Sequence, residues 1–137
     1  MTGKYRHGID NKGRLAVPAR LREELGDAFY VTIGLSHSLM MLTQDGWDVI
    51  VEKKKQLPLA EAQKLRFFFA NAVRCEPDKQ GRILLPAVLR EFARIDKDAV
   101  LVGVGSRIEI WSRDNWNQSN TYDDMEEIAE NMEGLGI

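Results

Sequence analysis

Along most of the chain, apolar residues fall in short runs cut by glycine-containing or polar turns, a pattern of short strands more than of long helices. Arg14-Leu15-Ala16-Val17 and Arg82-Ile83-Leu84-Leu85 are β-like runs, each entered through a glycine. Pro18 and Pro86 follow them where a first helical residue tolerates a missing N–H, so short helices are predicted over 18–25 and 86–93. Gly26 supplies a stop for the first helix; the second ends in Arg94-Ile95-Asp96 with no glycine. Phe29-Tyr30-Val31-Thr32-Ile33 and Ala99-Val100-Leu101-Val102 are again β-rich, and turns are predicted over 34–38 and 103–107. Leu39-Met40-Met41-Leu42 and Ile108-Glu109-Ile110-Trp111 return as strands, and the alternation around Glu109 gives the second hairpin one wet face. Asp45 and Asp114 are candidate N-caps of helices beginning at Trp47 and Trp116. Helical segments are expected over 47–57 and 60–71, broken at Pro58. Phe67-Phe68-Phe69 makes that segment apolar on more than one side, which calls for deep burial or contact with another subunit. Tyr122, Met125, Ile128, Ala129 and Met132 recur at helical spacing in an acidic segment, predicting a final helix over 122–132.

These elements come in two sets. Shifted by 68 residues, Asp10–Glu23 meets Asp78–Glu91 with eight of fourteen positions identical: Asp, Gly, Arg, Pro, Ala, Leu, Arg and Glu. At a shift of 69, Val31 meets Val100, Gly34 meets Gly103, Asp45 meets Asp114 and Trp47 meets Trp116. The chain is therefore read as a tandem duplication. Units occupy 4–47 and 73–116, a helical linker 48–72, and an acidic C-terminal helix 117–137. A unit so small needs outside support to fold. Two copies can give it by burying each other's apolar faces, as an intrachain pseudo-dimer with approximate two-fold symmetry. The expected class is α+β with a mainly β core.

Composition narrows the chemistry. The 137 residues contain no apolar run long enough to span a bilayer, and Met1–His7 has no apolar signal-peptide core, so a cytosolic location is expected. One cysteine and two histidines leave no disulfide and a poor metal-ligand set. The net charge of −2 conceals an asymmetry: residues 1–22 carry six Lys/Arg and one acid, residues 114–137 seven acids and no Lys/Arg. His7, His37 and Cys75 have no repeated third partner, Gly103-Val104-Gly105-Ser106-Arg107 lacks the third glycine and helix of a dinucleotide loop, and Asp10 and Asp78 sit in turns. No enzyme signature is present, and no cofactor, metal or small-molecule substrate is expected.

What repeats as a unit is Asp-x-x-Gly-Arg. Gly13 and Gly81 permit a tight reversal, and Asp10 and Asp78 can brace the loop or hold the arginine four residues on. Two readings stand. In one, the Asp–Arg pair only stiffens the turn. In the other, Arg14 and Arg82 are paired basic fingers reaching phosphates and guanine edges in a DNA major groove, with Lys12, Lys79, Arg6 and Arg74 extending the surface. Arg20, Arg22 and Arg90 lie on the short helices, where solvation explains them equally well.

Tyr5-x-His7, Ile9–Arg22, Glu76–Pro86 and Val100–Trp111 together resemble the MraZ family of bacterial transcriptional regulators, over about residues 3–117. The chain opens Met1-Thr2-Gly3 where that family commonly has Met-Phe-Arg-Gly. The resemblance implies two AbrB-like modules interleaved as a swapped-hairpin β-barrel, and assembly of several chains into a ring. It implies sequence-specific binding of double-stranded DNA at short promoter repeats upstream of the protein's own division and cell-wall operon, usually as a repressor, at the nucleoid. Family DNA-contact positions carry over to Lys12, Arg14 and Arg82, and to Lys79. The alternatives are a structural or interaction oligomer of the same fold, in which the arginines only brace turns, and an antitoxin-like AbrB regulator.

Overall fold

The computed structural model describes residues 1–120 and 125–137. Each repeat supplies four strands and one short helix to the core. The first gives β1 (Lys4–Gly8), β2 (Arg14–Ala16), α1 (Ala19–Leu25), β3 (Phe29–Ile33) and β4 (Leu39–Thr43). After the linker helices α2 (Gln44–Lys55), α3 (Leu59–Gln63) and α4 (Arg66–Ala70), the second gives β5 (Val73–Cys75), β6 (Arg82–Leu84), α5 (Ala87–Phe92), β7 (Asp98–Gly103) and β8 (Ile108–Ser112). Helices α6 (Arg113–Ser119) and α7 (Met125–Glu133) follow.

The repeats exchange their leading strands. The six-stranded antiparallel sheet runs β1-β7-β8-β4-β3-β5, so β1 of the first repeat edges the hairpin of the second and β5 of the second edges the hairpin of the first. A separate two-stranded ribbon pairs β2 with β6. This is the swapped-hairpin architecture expected from the resemblance. The pairing locates an internal two-fold axis. Leu15 lies opposite Ile83, its counterpart at 68 residues, and Met40 opposite Glu109, its counterpart at 69. Everything on the ribbon is therefore presented twice, once on either side of that axis.

Between ribbon and sheet lies one core. Leu15, Leu21, Phe29, Val31, Leu39 and Met41 from the first repeat meet Leu85, Leu89, Leu101, Ile108 and Ile110 from the second, all buried. The alternation in β2 and β6 explains the ribbon: Leu15 and Ile83 point inward, leaving Arg14, Ala16, Arg82 and Leu84 on the outer face. The outer face of β3 is covered by the linker. Trp47 stacks on Tyr30 at 4.5 Å and meets Phe68 and Phe69, and the Thr32 hydroxyl donates to the Phe68 carbonyl at 2.7 Å.

Several sequence expectations need correction. Strands β1 and β5 were not foreseen; Lys4–Gly8 alternates weakly and Val73–Cys75 has three residues, too few for a period. Pro18 and Pro86 stand at the N-cap, one residue before their helices. Thr43 and Ser112 cap α2 and α6 by accepting from the N–H of Gly46 and Asn115, while Asp45 and Asp114 lie in the first turns. The 60–71 segment is two short helices, and Phe67 is exposed with Phe68 and Phe69 half-buried, so the triplet is not a deep core. Glu109 is half-buried, accepting from the Trp111 indole at 3.2 Å. In the register, Ile33 pairs with Leu39 and Gly103 with Ile108, which sets Val31 in the place of Leu101 and shifts β3 against β7 by 70 residues. The shorter second turn restores 69. Arg94 takes the left-handed conformation (φ 56°) where the first repeat uses Gly26 (φ 85°). The final helix is described over Met125–Glu133; its expected start at Tyr122 lies outside the described residues.

Because Leu15 and Ile83 face each other on the axis, Leu15→Ala should cost about 2–5 kcal/mol. Ile83→Ala should cost a similar amount, and the double variant less than the sum, since the two sites share one cavity. Urea unfolding followed by circular dichroism measures all three.

Candidate nucleic-acid interface

Each loop between an exchanged strand and the ribbon is built around one aspartate. The N–H of Gly13 donates to the Asp10 carbonyl at 3.0 Å, and the Asp10 Oδ1 accepts from the N–H groups of Lys12 (3.0 Å) and Arg14 (2.8 Å). Asp78 repeats this with Gly81, Gln80 and Arg82, each at 2.9 Å. Gly13 (φ 80°) and Gly81 (φ 78°) make the reversal in a conformation that glycine adopts without strain. The other carboxylate oxygen takes the arginine: Arg14 Nε donates to Asp10 Oδ2 at 2.7 Å and Arg82 Nε to Asp78 Oδ2 at 3.0 Å.

The two pairs touch across the axis, with Arg82 Nη1 3.9 Å from Asp10 Oδ2. The side chains of Arg14 and Arg82 are 31% and 29% exposed, so they lie along the ribbon instead of projecting freely. Only the Nε edge is hydrogen-bonded. Among the described residues the Nη groups of both arginines have no hydrogen-bond partner, and they are the donors that a bidentate acceptor needs. An exposed ion pair of this kind adds little stability. Its effect is to fix which edge of the guanidinium is offered.

Both carboxyls are held below the ordinary aspartate value. The chief cause is the hydrogen bond from the N–H of Arg14 or Arg82, opposed by partial desolvation and reinforced by the guanidinium and by the N–H of Lys12 or Gln80. Burial moves Cys75 the other way, to about 11, which removes it as a nucleophile at neutral pH.

Lys12 and Lys79 are exposed on the two loops. Arg74 shares a cleft of about 430 Å³ with Arg14 and Arg82, though Glu76 pairs with it at 2.6 Å. Arg6, the counterpart of Arg74 in β1, is exposed and lines a separate cleft with His7, Asp98 and Arg113. The ribbon and its two loops therefore carry Arg14 and Arg82 beside the carboxylates of Asp10 and Asp78, with Lys12 and Lys79 exposed on the loops, Arg74 in the arginines' cleft and Arg6 apart. No group of three metal-ligating side chains occurs among the described residues.

Two positions matter that the sequence reading left as solvated. Arg22 and Arg90 are half-buried, and their Nε groups donate to the Val17 and Leu85 carbonyls at 2.9 and 3.0 Å. Each guanidinium lies against the glycine of the opposite repeat. A Cβ on Gly81 would stand 2.7 Å from Arg22 Cζ, and one on Gly13 3.1 Å from Arg90 Nη2. The same junctions carry the Val17 N–H to Gly81 carbonyl and the Leu85 N–H to Gly13 carbonyl bonds, both 2.9 Å. The helix of each repeat thus clamps the loop of the other. The signal was present, since Arg22 and Arg90 are among the eight identities, but a helix-borne arginine has no local motif to mark it.

Two outcomes follow. Gly81→Ala should destabilise by about 1–3 kcal/mol through the positive φ alone and exceed Gly13→Ala, because only at Gly81 does the new methyl meet the guanidinium below 3 Å. Arg22→Ala should relieve that excess, as a double-mutant cycle by thermal unfolding would show. The depressed aspartates stabilise the fold fully above the unfolded carboxyl value of about 3.9 and lose that contribution as pH falls through the lower folded value. Asp10→Asn with Asp78→Asn should therefore flatten the acid limb of the stability–pH curve and leave its slope between pH 6 and 8 unchanged.

Comparison with known proteins places this geometry. The family model described as "MraZ protein, putative antitoxin-like" matches twice, over residues 1–67 and 68–135, in accord with the duplicated fold. The chain is 54% identical to the transcriptional regulator MraZ of Desulfitobacterium hafniense, over 98% of each chain. It is 52% identical to the protein of that name from Carboxydothermus hydrogenoformans, covering 95% of this chain and 94% of the relative. For the one from Caldanaerobacter subterraneus the identity is 47%, over 100% and 99%. Two copies of the family's module, matched end to end and folded around one internal axis, show that the chain belongs to the MraZ family.

Proposed function

We propose that this chain is a transcriptional regulator that binds double-stranded DNA through the outer face of the β2–β6 ribbon. The observation that carries the reading is the pair of guanidiniums related by the internal axis, each fixed at Nε by an aspartate and open at Nη. A two-stranded ribbon fits the major groove of B-DNA, where arginine Nη groups bond guanine O6 and N7. Lys12 and Lys79 flank the arginines as phosphate contacts, with Arg74 at the margin and Arg6, in its separate cleft, outside the contact.

The family resemblance supplies the finer proposal. Several copies assemble into a ring and engage short repeats upstream of the protein's own division and cell-wall operon, repressing it. In this reading the protein works at the nucleoid, in the cytoplasm, without enzymatic activity, cofactor or small-molecule substrate. Physical sense supports assembly. One ribbon sets four cations against two carboxylates in a chain of net charge −2, a weak site by itself. Repetition of such sites on tandem DNA repeats multiplies affinity through effective concentration.

The closed Asp–Arg pairs also suit the rival reading, in which the arginines serve only the turn. Binding to promoter DNA by fluorescence anisotropy at two salt concentrations decides between them. Arg14→Ala and Arg82→Ala should each lose about 1–3 kcal/mol of discrimination for the promoter sequence while melting within a few degrees of wild type. Lys12→Ala should weaken binding to all sequences alike and reduce the salt slope by about one. Unchanged affinity in Arg14→Ala and Arg82→Ala, with lowered stability, would leave the arginines as turn braces.

A further inference from the structure

The trailing helices of the two repeats end differently, and their surfaces are complementary. In α7, Met125, Ile128 and Met132 share one face and are 52%, 40% and 40% exposed. Glu126, Glu127, Glu130 and Glu133 surround them, and residues 114–137 contain no Lys or Arg. Among the described residues no side-chain hydrogen bond or ion pair joins α7 to the rest of the molecule. A helix of nine residues is marginal in water without a surface to pack on.

The linker after the first repeat offers such a surface. Helices α2, α3 and α4 enclose a groove of about 470 Å³ with an apolar floor of Leu59, Ala62, Phe69 and Ala70 and with Lys54 and Arg66 at its margin. Leu59 is 76% exposed, too much for a side chain whose packing is complete. Lys54 Nζ lies 4.3 Å over the Phe69 ring, so the charge is held at the apolar floor. From residue 53 to residue 66 there are five Lys/Arg and one acid, Glu61.

We infer that α7 of one copy lies in the α2–α4 groove of a second copy, with Met125, Ile128 and Met132 on the apolar floor and its glutamates toward Lys54 and Arg66. The occupant is fixed by the match of both properties at once: an apolar stripe bordered only by acids meets an apolar groove bordered by cations. The ribbon, the other cationic surface, has its arginines tied to Asp10 and Asp78. The contact joins two different patches of the same chain, so it is heterologous. Repeated from copy to copy it builds a closed ring or an open filament, not a two-fold dimer. Ridge and groove sit on opposite trailing segments of a duplicated unit, which is why one copy cannot satisfy both ends by internal symmetry.

This contact rests on the multi-copy assembly of the proposed function, but its test does not use the ribbon. Ala62→Cys and Ile128→Cys variants are prepared separately, mixed and treated with a short bismaleimide, with the buried Cys75 as an unreactive internal control. A cross-linked pair containing one chain of each variant is expected. In the same series, Ile128→Asp and Leu59→Asp, both at exposed sites, should at least halve the mass measured by light scattering. Binding of a DNA fragment holding a single promoter repeat should stay within about twofold of wild type in these variants. No cross-linked pair in the mixture, with a link formed only when Ala62→Cys and Ile128→Cys are placed together in one chain, or full mass in Ile128→Asp and Leu59→Asp, would overturn the contact. Neither result would bear on Arg14 and Arg82, whose variants are read by DNA affinity.

Discussion

Neither half of this chain owns a complete sheet, a complete ribbon or a complete turn. The edges β1 and β5 belong to the hairpins of the other repeat, and the ribbon is one strand from each. The exchange is tightest at the junctions where the Val17 N–H meets the Gly81 carbonyl and the Leu85 N–H meets the Gly13 carbonyl. Arg22 and Arg90 close over the same glycines from the opposite side. Since those glycines form the loops that carry Arg14 and Arg82, the geometry of each arginine depends on the helix of the other repeat. Folding and site assembly are one event here. A half-chain would have to find a second half before it had either a core or a site.

Much of this was legible in the residues, and the reasons for the rest are physical. The identity between Asp10–Glu23 and Asp78–Glu91 reported the duplication, because repeated turns and buried leucines constrain the residue at each place. The Asp-x-x-Gly-Arg loops were readable since the aspartate hydrogen bonds that shape them span four residues or fewer. Strands β1 and β5 were not, as they form only by pairing with residues about 95 and 45 positions away, a long-range contact with no local trace. Helix caps fell to Thr43 and Ser112 and not to Asp45 and Asp114, because the capping residue is the last of the strand, a place fixed by register. The clamp of Arg22 and Arg90 required knowing that the repeats interleave; their identity at the 68-residue offset marked them as repeated and did not say what they touch.

For the proposed function, a net negative charge in a chain that would meet a polyanion is less paradoxical once its charges are located. The carboxylates nearest the arginines are acceptors for backbone N–H groups and for Nε, so part of their charge is answered within the loop. Seven of the acids lie in residues 114–137, well beyond the ribbon in sequence. The global balance says little about the local field, which decays within a Debye length of about 8–10 Å. A weakly cationic site also suits a multivalent binder. Each contact can release and re-form, while a set of them holds.

Duplication inside one chain frees the copies to diverge, and the bonds of the Asp-x-x-Gly-Arg loops are what both copies keep. On the ribbon, the Asp–Gly–Arg constellation is kept at both places, with the same bonds within about 0.3 Å. Off it, the first repeat stops its helix with Gly26 and the second has Arg94 at the corresponding place, both at positive φ. The first repeat's trailing segment folds back on Tyr30 and Trp47 and leaves a basic groove, and the second's continues into an acidic amphipathic helix. A two-fold dimer of identical single-repeat chains would carry the same trailing segment twice. A covalent pseudo-dimer can give one end a ridge and the other a groove, and so acquires a direction. Under the proposed function and the inferred head-to-tail contact, that direction would let a chain join its own copies while keeping a symmetric face for a double helix, whose two strands are themselves related by a two-fold axis.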